Sequence, residues 1–208
     1  MSENTRLKDI LQGVDYKLID GSTDIEVAGL ASDSKMVKSG FIFVAIKGSR
    51  YDGHNFIEEA KKIGAKAIIA EGDFSNDNKE VTKILVSNSR KALANIAHNF
   101  YGRPADNMRL VGITGTNGKT TISYLTEAVL KEAGFAVGVI GTINYRYGPR
   151  QIPAANTTPD ALQLSQTLRY MLNNGATHLI MEVSSHSLEQ YRVYGINFKT
   201  AVFTNITP

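Results

Sequence analysis

What the sequence lacks excludes several classes of protein. It contains no cysteine, which excludes disulfides and thiolate zinc sites and fits a reducing cytosol. It contains no run of about 18 apolar residues, so we expect no transmembrane helix and no membrane partner. The net charge is only +3, with Lys and Arg scattered along the chain. This balance argues against a nucleic-acid partner and suits a small anionic ligand.

What is present is typical of a soluble α/β protein. The 208 residues are 42% hydrophobic and 21% charged, and the length allows one large domain or two small ones. Short apolar runs alternate with amphipathic stretches, a pattern that predicts parallel strands joined by helices. The predicted strands are 41–46, 67–70, 83–87, 108–114, 137–140, 178–183 and 200–204.

Capping residues predict where the helices begin and end. Gly64, Gly134 and Gly175 are expected to end three of them. Ser89 is expected to cap a helix over 90–101, and Thr158 to cap one with Pro159 at its first position. The other predicted helices are 55–63 and 119–133.

A break at 102–104, Gly-Arg-Pro, predicts an α/β domain over 1–103 and a parallel-sheet domain over 104–208. The sequence ends directly after a predicted strand, and no helix follows to cover the sheet. Because parallel sheets are normally covered on both faces, we expect the sequence to be part of a longer protein. The apolar face beside 201–203 would then favour self-association of the chain.

The most informative segment is Thr-Gly-Thr-Asn-Gly-Lys-Thr-Thr at 114–121, between a predicted strand and helix. Its glycines allow backbone N–H groups to converge on a phosphate, and the helix dipole adds positive charge there. Lys119 would reach the β- and γ-phosphates, and Thr120 would offer a hydroxyl to Mg²⁺. Ile113 stands where the longer form of this motif has a glycine. The alternative is an ordinary glycine-rich turn with a surface lysine.

Glu182 ends the predicted strand 178–183, where a carboxylate is well placed for a metal ion. The alternative is an acid that faces solvent. His186 follows closely and is either a loop residue or a direct participant in the chemistry. His54, His98 and His178 are interpreted as non-catalytic.

These motifs together resemble the Mur ligases, and among them the branch that adds a diamino acid rather than alanine, glutamate or a dipeptide. The loop at 114–121 matches the family completely, and 156–159 and 181–186 match that branch. In the first half, 33–35, 39–45 and 52–54 are similar to the family's uridine-binding pattern. Lys35, Ser39 and Phe41 depart from it, and Lys35 loses the two-pronged contact of an arginine.

The resemblance implies an ATP-dependent amide ligase of peptidoglycan synthesis that requires Mg²⁺. It would join the D-glutamate carboxylate of UDP-MurNAc-dipeptide to meso-diaminopimelate or L-lysine through an acyl phosphate. Lys119 and Glu182 would be catalytic, and Thr120 and Glu182 would hold the metal. The implied nucleotide-binding residues are Gly115, Thr116, Asn117, Gly118, Lys119, Thr120 and Thr121. The implied substrate-binding residues are Ser32 and Ser34 at the uridine and Asn156, Thr157, Thr158, Ser184, Gln190 and Arg192 along the muramoyl peptide.

By the same resemblance, the N-terminal domain would bind the uridine nucleotide and residues 104–208 would be the first part of the ATP-binding domain. A C-terminal domain would lie beyond Pro208, so the chain alone is expected to be inactive and the complete enzyme monomeric and cytoplasmic. Three alternatives stay open. A folylpolyglutamate synthetase shares the loop, a switch GTPase would need a guanine motif that fails at 78–81, and the chain could be a non-catalytic UDP-sugar-binding fragment.

Overall fold

The fold is mixed α/β with largely parallel sheets, so the predicted class is confirmed. The computed structural model describes residues 5–48, 51–72 and 81–206. Most of the segment 78–81 that argues against a guanine motif lies outside those ranges. The chain divides into two compact units, Met1–Phe100 and Tyr101–Pro208.

The elements of the first unit are β1 Thr5–Arg6, α1 Leu7–Ile10, β2 Tyr16–Asp20, β3 Glu26–Val27, β4 Gly29–Ala31, β5 Phe41–Val44, α2 Ile57–Ile63, β6 Ala67–Ala70, β7 Thr82–Val86 and α3 Ser89–Phe100, with 3₁₀ turns at Ser34–Met36 and Gly53–Phe56. They are built on a five-stranded sheet with strand order β2-β7-β6-β5-β4. Strands β4 to β7 are parallel and β2 runs antiparallel to β7. A short ladder joins β1 to β3.

The elements of the second unit are β8 Arg109–Thr114, α4 Lys119–Glu132, β9 Val137–Ile140, β10 Asn144–Tyr147, β11 Arg150–Pro153, α5 Ala161–Asn173, β12 His178–Glu182, α6 Ser185–Glu189 and β13 Thr200–Phe203, preceded by a 3₁₀ turn at Pro104–Asn107. They include a six-stranded sheet with strand order β11-β10-β9-β12-β8-β13. Four of these strands, β9, β12, β8 and β13, are parallel, and β10 and β11 form an antiparallel hairpin beside them.

Strand β12 is an inner strand of the second unit, between β9 and β8, and both of its faces are covered. Leu179 and Met181 pack into a core with Leu164 and Leu168 of α5. Ile180 faces the other way, into a smaller core with strands β8 and β9 and helix α4. All five residues of β12 are buried, as expected for a central parallel strand. The strand therefore holds its last residue, Glu182, in a fixed place.

The predicted start of α5 is wrong by two residues. Asp160, not Thr158, is the cap, because its carboxylate accepts a hydrogen bond from the N–H of Gln163 at 2.9 Å. Thr158 is buried, and its hydroxyl instead donates to the backbone oxygen of Glu182 at 2.8 Å. Both residue types cap helices well, so the local sequence did not distinguish them. The tertiary contact with Glu182 decides between them.

The cap at Asp160 gives a first testable prediction. Asp160→Ala removes the acceptor for the Gln163 N–H and should lower the free energy of unfolding by about 1 kcal/mol. Asp160→Asn keeps an acceptor and is the matched control, with a smaller expected loss. Urea unfolding followed by circular dichroism measures both. An equal loss in the two variants would show that charge, not capping, is what Asp160 contributes.

The predicted cap of α3 is also wrong. The helix includes Ser89, and the Asn88 side chain accepts from the Lys91 N–H at 2.9 Å. The Ser89 hydroxyl donates to Glu71 at 2.8 Å instead. Helices α2 and α4 have the predicted ends, at Gly64 and just before Gly134.

The sheet edges were predicted least well. The hairpin β10–β11 and strands β2 and β4 were not predicted, although the four other strands of the second unit were. Strand β13 is an edge strand, and its Phe203 is 63% exposed. Self-association through this face stays a prediction. In the described part of the chain, no helix is both long enough and apolar enough to cross a membrane.

Candidate active site

The carboxyl ends of four neighbouring strands of the second unit bring the polar groups of the site together. The glycine-rich loop follows β8, Gly141 and Thr142 follow β9, Glu182 ends β12, and Thr204 follows β13. Ligands of parallel α/β sheets bind outside this edge. Thr120 and Glu182, 62 positions apart in sequence, meet here because the strand order places β12 between β8 and β9.

The loop has a glycine where other residues would not fit. Gly115 has φ 131°, which L residues rarely adopt, and a Cβ there would overlap the Thr204 hydroxyl. The helix α4 begins at Lys119, directly after the loop. Lys119 Nζ donates to the backbone oxygens of Gly115 at 2.5 Å and Thr116 at 3.2 Å. The ammonium group therefore lies within the loop, where a phosphate group would approach the N-terminus of α4.

A segment that the sequence analysis did not single out supports this loop from the β13 side. Asn205 accepts hydrogen bonds from the N–H groups of Thr116, through its backbone oxygen at 2.9 Å, and of Asn117, through its side chain at 3.1 Å. The Thr204 hydroxyl donates to the Asn117 oxygen at 2.6 Å. These contacts depend on β13 pairing with β8, which no local pattern reveals.

Glu182 is buried rather than facing solvent, with 1% of its surface exposed. Its Oε2 accepts hydrogen bonds from the hydroxyls of Thr120 and Thr142, each at 2.9 Å. Its Oε1 lies 3.4 Å from the N–H of Thr142. A Cβ at residue 141 would overlap Oε1, so Gly141 allows the backbone after β9 to approach the carboxylate.

The donor set at Glu182 fits a magnesium ion. Mg²⁺ prefers oxygen ligands and is commonly held by one or two carboxylates together with phosphate oxygens and water. Here a buried carboxylate lies beside the hydroxyl of Thr120, at the mouth of a phosphate-binding type of loop. Among the described residues, no group of three or more His, Cys, Asp or Glu side chains could hold a metal by itself. A site that shares its metal with a nucleotide needs no such group.

The residues expected along the muramoyl peptide are brought to the same edge by hydrogen bonds. The Thr158 hydroxyl accepts from the N–H of Ser184 at 3.2 Å, and the Thr158 backbone oxygen accepts from Arg192 at 2.7 Å. Arg192 also donates to Gln190 Oε1, at 2.7 Å through one of its terminal nitrogens. Ser184 caps α6, with its hydroxyl accepting from the Ser187 N–H. These four residues thus form one connected cluster behind Glu182.

Asn156 and Thr157 lie on the loop between β11 and α5. The Tyr145 hydroxyl donates to the Asn156 backbone oxygen at 2.6 Å, and the hydroxyls of Thr157 and Thr142 are 3.1 Å apart. Burial raises the pKa of the Tyr145 phenol above its ordinary value. Neither Tyr145 nor Thr142 was predicted. The position of Thr142, just past the end of a parallel strand, is the signal that could have found it.

Among the described residues, no histidine is hydrogen-bonded to the carboxylate of Glu182. The side chain of His186 is 70% exposed and lies 3.7 Å from Glu189, which is typical of a surface residue. His54 lies 2.5 Å from Asp52, His98 is buried in α3, and His178 packs on Phe135. Desolvation by burial, reinforced by Arg109, lowers the pKa of His178.

In the first unit, Ser32 and Ser34 line a cavity of about 440 Å³. Lys35, Tyr51 and Phe56 also line it, so polar and aromatic groups face the same space. Ser34 is buried, with 6% of its surface exposed, and starts a 3₁₀ turn that Asp33 caps by accepting from the Lys35 N–H. The combination of aromatic rings, hydroxyls and a cation is suited to a small polar ligand.

Comparison with known families identifies the chain. The model of the Mur ligase middle domain matches residues 113–208, and the model described as the Mur ligase family catalytic domain matches residues 26–101. The chain belongs to the Mur ligase family. Two of the curated relatives are named UDP-N-acetylmuramoyl-L-alanyl-D-glutamate--2,6-diaminopimelate ligase. The one from Clostridium tetani is 46% identical over 204 residues, and the one from Clostridium perfringens is 43% identical over 201 residues.

The Mur ligase relatives are longer than the chain. The matches cover 97% of the chain but 42% of the C. tetani protein and 41% of the C. perfringens protein. A solved structure of a protein with the same name superposes with a TM-score of 0.81 at 28% identity, covering 98% of this chain and 41% of that one. The predicted family resemblance is confirmed.

Proposed function

We propose that the chain is part of an ATP-dependent amide ligase that adds a diamino acid to UDP-MurNAc-L-Ala-D-Glu in peptidoglycan synthesis. The observation that supports it most is the buried carboxylate of Glu182 beside Thr120 and the Lys119 loop, in a chain whose relatives are named for this ligation. Those relatives are named for 2,6-diaminopimelate, which favours it over L-lysine as the added amino acid. Such an enzyme would work in the cytoplasm.

The loop at 115–121 would bind the ATP phosphates, and Lys119 would turn from its own loop carbonyls toward the β- and γ-phosphates. Phosphoryl transfer leaves a protein mainly positioning and charge neutralisation to perform. Glu182 and Thr120 would hold Mg²⁺. The ion, when bound, would neutralise phosphate charge and align the oxygens. The D-glutamate carboxylate would attack the γ-phosphorus of ATP and release ADP. The amine of the diamino acid would then attack the acyl phosphate, releasing inorganic phosphate and a proton as the amide forms.

The cluster of Thr158, Ser184, Gln190 and Arg192 would bind the muramoyl peptide. Arg192 donates hydrogen bonds to Gln190 and to the Thr158 backbone oxygen, and these fix the position of its positively charged guanidinium group. Asn156 and Thr157 would contribute side chains from the adjacent loop. This arrangement would bring the anionic peptide carboxylate toward the phosphate loop, where an in-line attack requires it.

The cavity at Ser32 and Ser34 would bind the uridine nucleotide. We therefore assign residues 1–103 to the UDP-MurNAc-binding domain and 104–208 to the ATP-binding domain. Titration calorimetry of the chain with UDP-MurNAc-L-Ala-D-Glu and, separately, with ADP and Mg²⁺ tests both assignments. Binding is the proper readout because the chain spans about two fifths of its relatives' length. Failure to bind the UDP-sugar would refute the proposal.

A single hydroxyl tests the uridine assignment. Ser34→Ala should weaken binding of UDP-MurNAc-L-Ala-D-Glu about fivefold, the loss of about 1 kcal/mol from one hydrogen bond. Binding of ADP should not change. Ser22→Ala is the control, because Ser22 is an exposed serine of the same unit whose hydroxyl accepts from the N–H of Asp24 at 3.0 Å, while its contacts with Thr82 are made by the backbone. If ADP binding falls instead, the assignment of the first unit is wrong.

A further inference from the structure

Thr142 connects the two halves of the proposed site. Its hydroxyl is 2.9 Å from Glu182 Oε2 and 3.1 Å from the Thr157 hydroxyl. Glu182 is the proposed metal ligand, and Thr157 lies on the loop proposed to bind the muramoyl peptide. Thr142 itself follows β9 and belongs to none of the motifs that identify the family. Neither the phosphate-binding loop at 115–121 nor the cap of α5 assigns a role to Thr142.

The number of protons fixes the direction of these hydrogen bonds. A threonine hydroxyl carries one proton and can accept through its lone pairs. The carboxylate of Glu182 can only accept, so the Thr142 proton points to Glu182. The Thr157 hydroxyl must then donate to Thr142, so its proton is not available to a ligand.

Binding of a cation at Glu182 would reverse the direction of the hydrogen bond between Thr142 and Thr157. When a cation occupies the lone pairs of Glu182 Oε2, that oxygen becomes a poorer acceptor for Thr142. The Thr142 hydroxyl can then donate to Thr157, and the Thr157 proton is free to point to an anionic ligand. Hydrogen bonds between a hydroxyl and an ionised acceptor are about twice as strong as neutral ones. A hydroxyl that turns from Glu182, or toward an anionic ligand, therefore changes the binding energy appreciably.

We infer that Thr142 is a positioning residue that couples metal binding at Glu182 to binding of the muramoyl peptide at Thr157. The inference rests on the proposed function for the identity of the two ligands. Coupling of this kind is reciprocal: the metal strengthens binding of the peptide by the same factor by which the peptide strengthens binding of the metal.

The test measures that factor directly. UDP-MurNAc-L-Ala-D-Glu is titrated calorimetrically into the chain saturated with ADP, once with Mg²⁺ and once with EDTA. In the unmodified chain, Mg²⁺ should strengthen binding about fivefold or more, the usual range for coupled sites. Thr142→Ser keeps the hydroxyl and should keep the factor. Thr142→Val keeps the shape, removes the hydroxyl and should bring the factor close to one.

Two controls keep a structural effect apart from coupling. Thr167→Val removes a partly buried hydroxyl that bonds only within α5 and should keep the factor. Thr157→Val breaks the same chain of hydroxyls from the other end and should also bring the factor close to one, so the inference does not depend on the folding of one variant. Mn²⁺ binding measured by electron paramagnetic resonance, with and without the UDP-sugar, gives the factor in the reverse direction.

Each outcome has one meaning. If Thr142→Val weakens both titrations equally and keeps the factor, the hydroxyl is structural and the inference is wrong. If the unmodified chain binds the UDP-sugar with no effect of Mg²⁺, the inference fails and the proposed function stands. If the unmodified chain does not bind the UDP-sugar at all, the proposed function itself fails.

Discussion

Replacing Lys119 by alanine is expected to weaken binding of ADP roughly tenfold to a hundredfold. The ammonium group lies in the loop at 2.5 Å and 3.2 Å from two backbone oxygens, close to the N-terminus of α4. A hydrogen bond to a charged group contributes about 1.5–3 kcal/mol, which corresponds to that range of affinity. The change is measured by calorimetric titration of the chain with ADP and Mg²⁺.

The fold should survive this substitution. The Lys119 ammonium contacts carbonyls of its own loop rather than the core, so unfolding by urea should change little. Lys199→Ala is the matched control, because Lys199 is an exposed lysine of the same unit. It precedes β13, at the end of the strand that is remote from the phosphate-binding loop. ADP affinity within about twofold of the unmodified chain would overturn the role of Lys119, since a lost phosphate contact must cost more.

Short-range patterns predicted the parts of the site that one segment of chain determines. The glycines, Lys119 and Thr120 lie within eight residues, and their context between a strand and a helix is itself local. Glu182 was predicted by a general property of parallel sheets, that strand ends meet at one edge. Neither inference required knowledge of the strand order.

The contacts that the sequence did not predict depend on that order. Thr142 contacts Glu182 because β9 pairs with β12, and Asn205 holds the loop because β13 pairs with β8. A sequence with seven predicted strands allows many orders, and pairing energies do not select among them locally. The wrong cap of α5 has the same cause, since a distant contact with Glu182 occupies Thr158.

The hairpin β10–β11 was missed for a different reason. Strands β10 and β11 contain Arg146 and Arg150, and a polar hairpin lacks the apolar run that marks a buried strand. Arg146 is nevertheless 9% exposed and pairs with Glu127 of α4. A buried charge looks like a surface charge in the sequence, because the partner that makes burial possible comes from another element.

Replacing Glu182 by glutamine is expected to abolish the effect of Mg²⁺ on nucleotide binding. In the unmodified chain, ADP should bind more tightly with Mg²⁺ than with EDTA. Loss of an outer partner of a metal site lowers metal affinity about 10–100-fold, and loss of the carboxylate ligand itself should cost at least that much. Calorimetric titration of ADP in the two conditions measures the ratio, which should approach one in Glu182→Gln.

Stability should move in the opposite direction from function. The Glu182 side chain is buried, and a buried carboxylate carries a desolvation penalty that a neutral amide of the same shape avoids. The metal-free variant should therefore unfold at the same urea concentration as the unmodified chain or at a higher one. Glu189→Gln is the control, because Glu189 is an exposed acid seven residues away, with 78% of its side chain accessible, and should leave both measurements unchanged. A Glu182→Gln variant that unfolds more easily and keeps its response to Mg²⁺ would make Glu182 a structural acceptor for Thr120 and Thr142 and not a metal ligand.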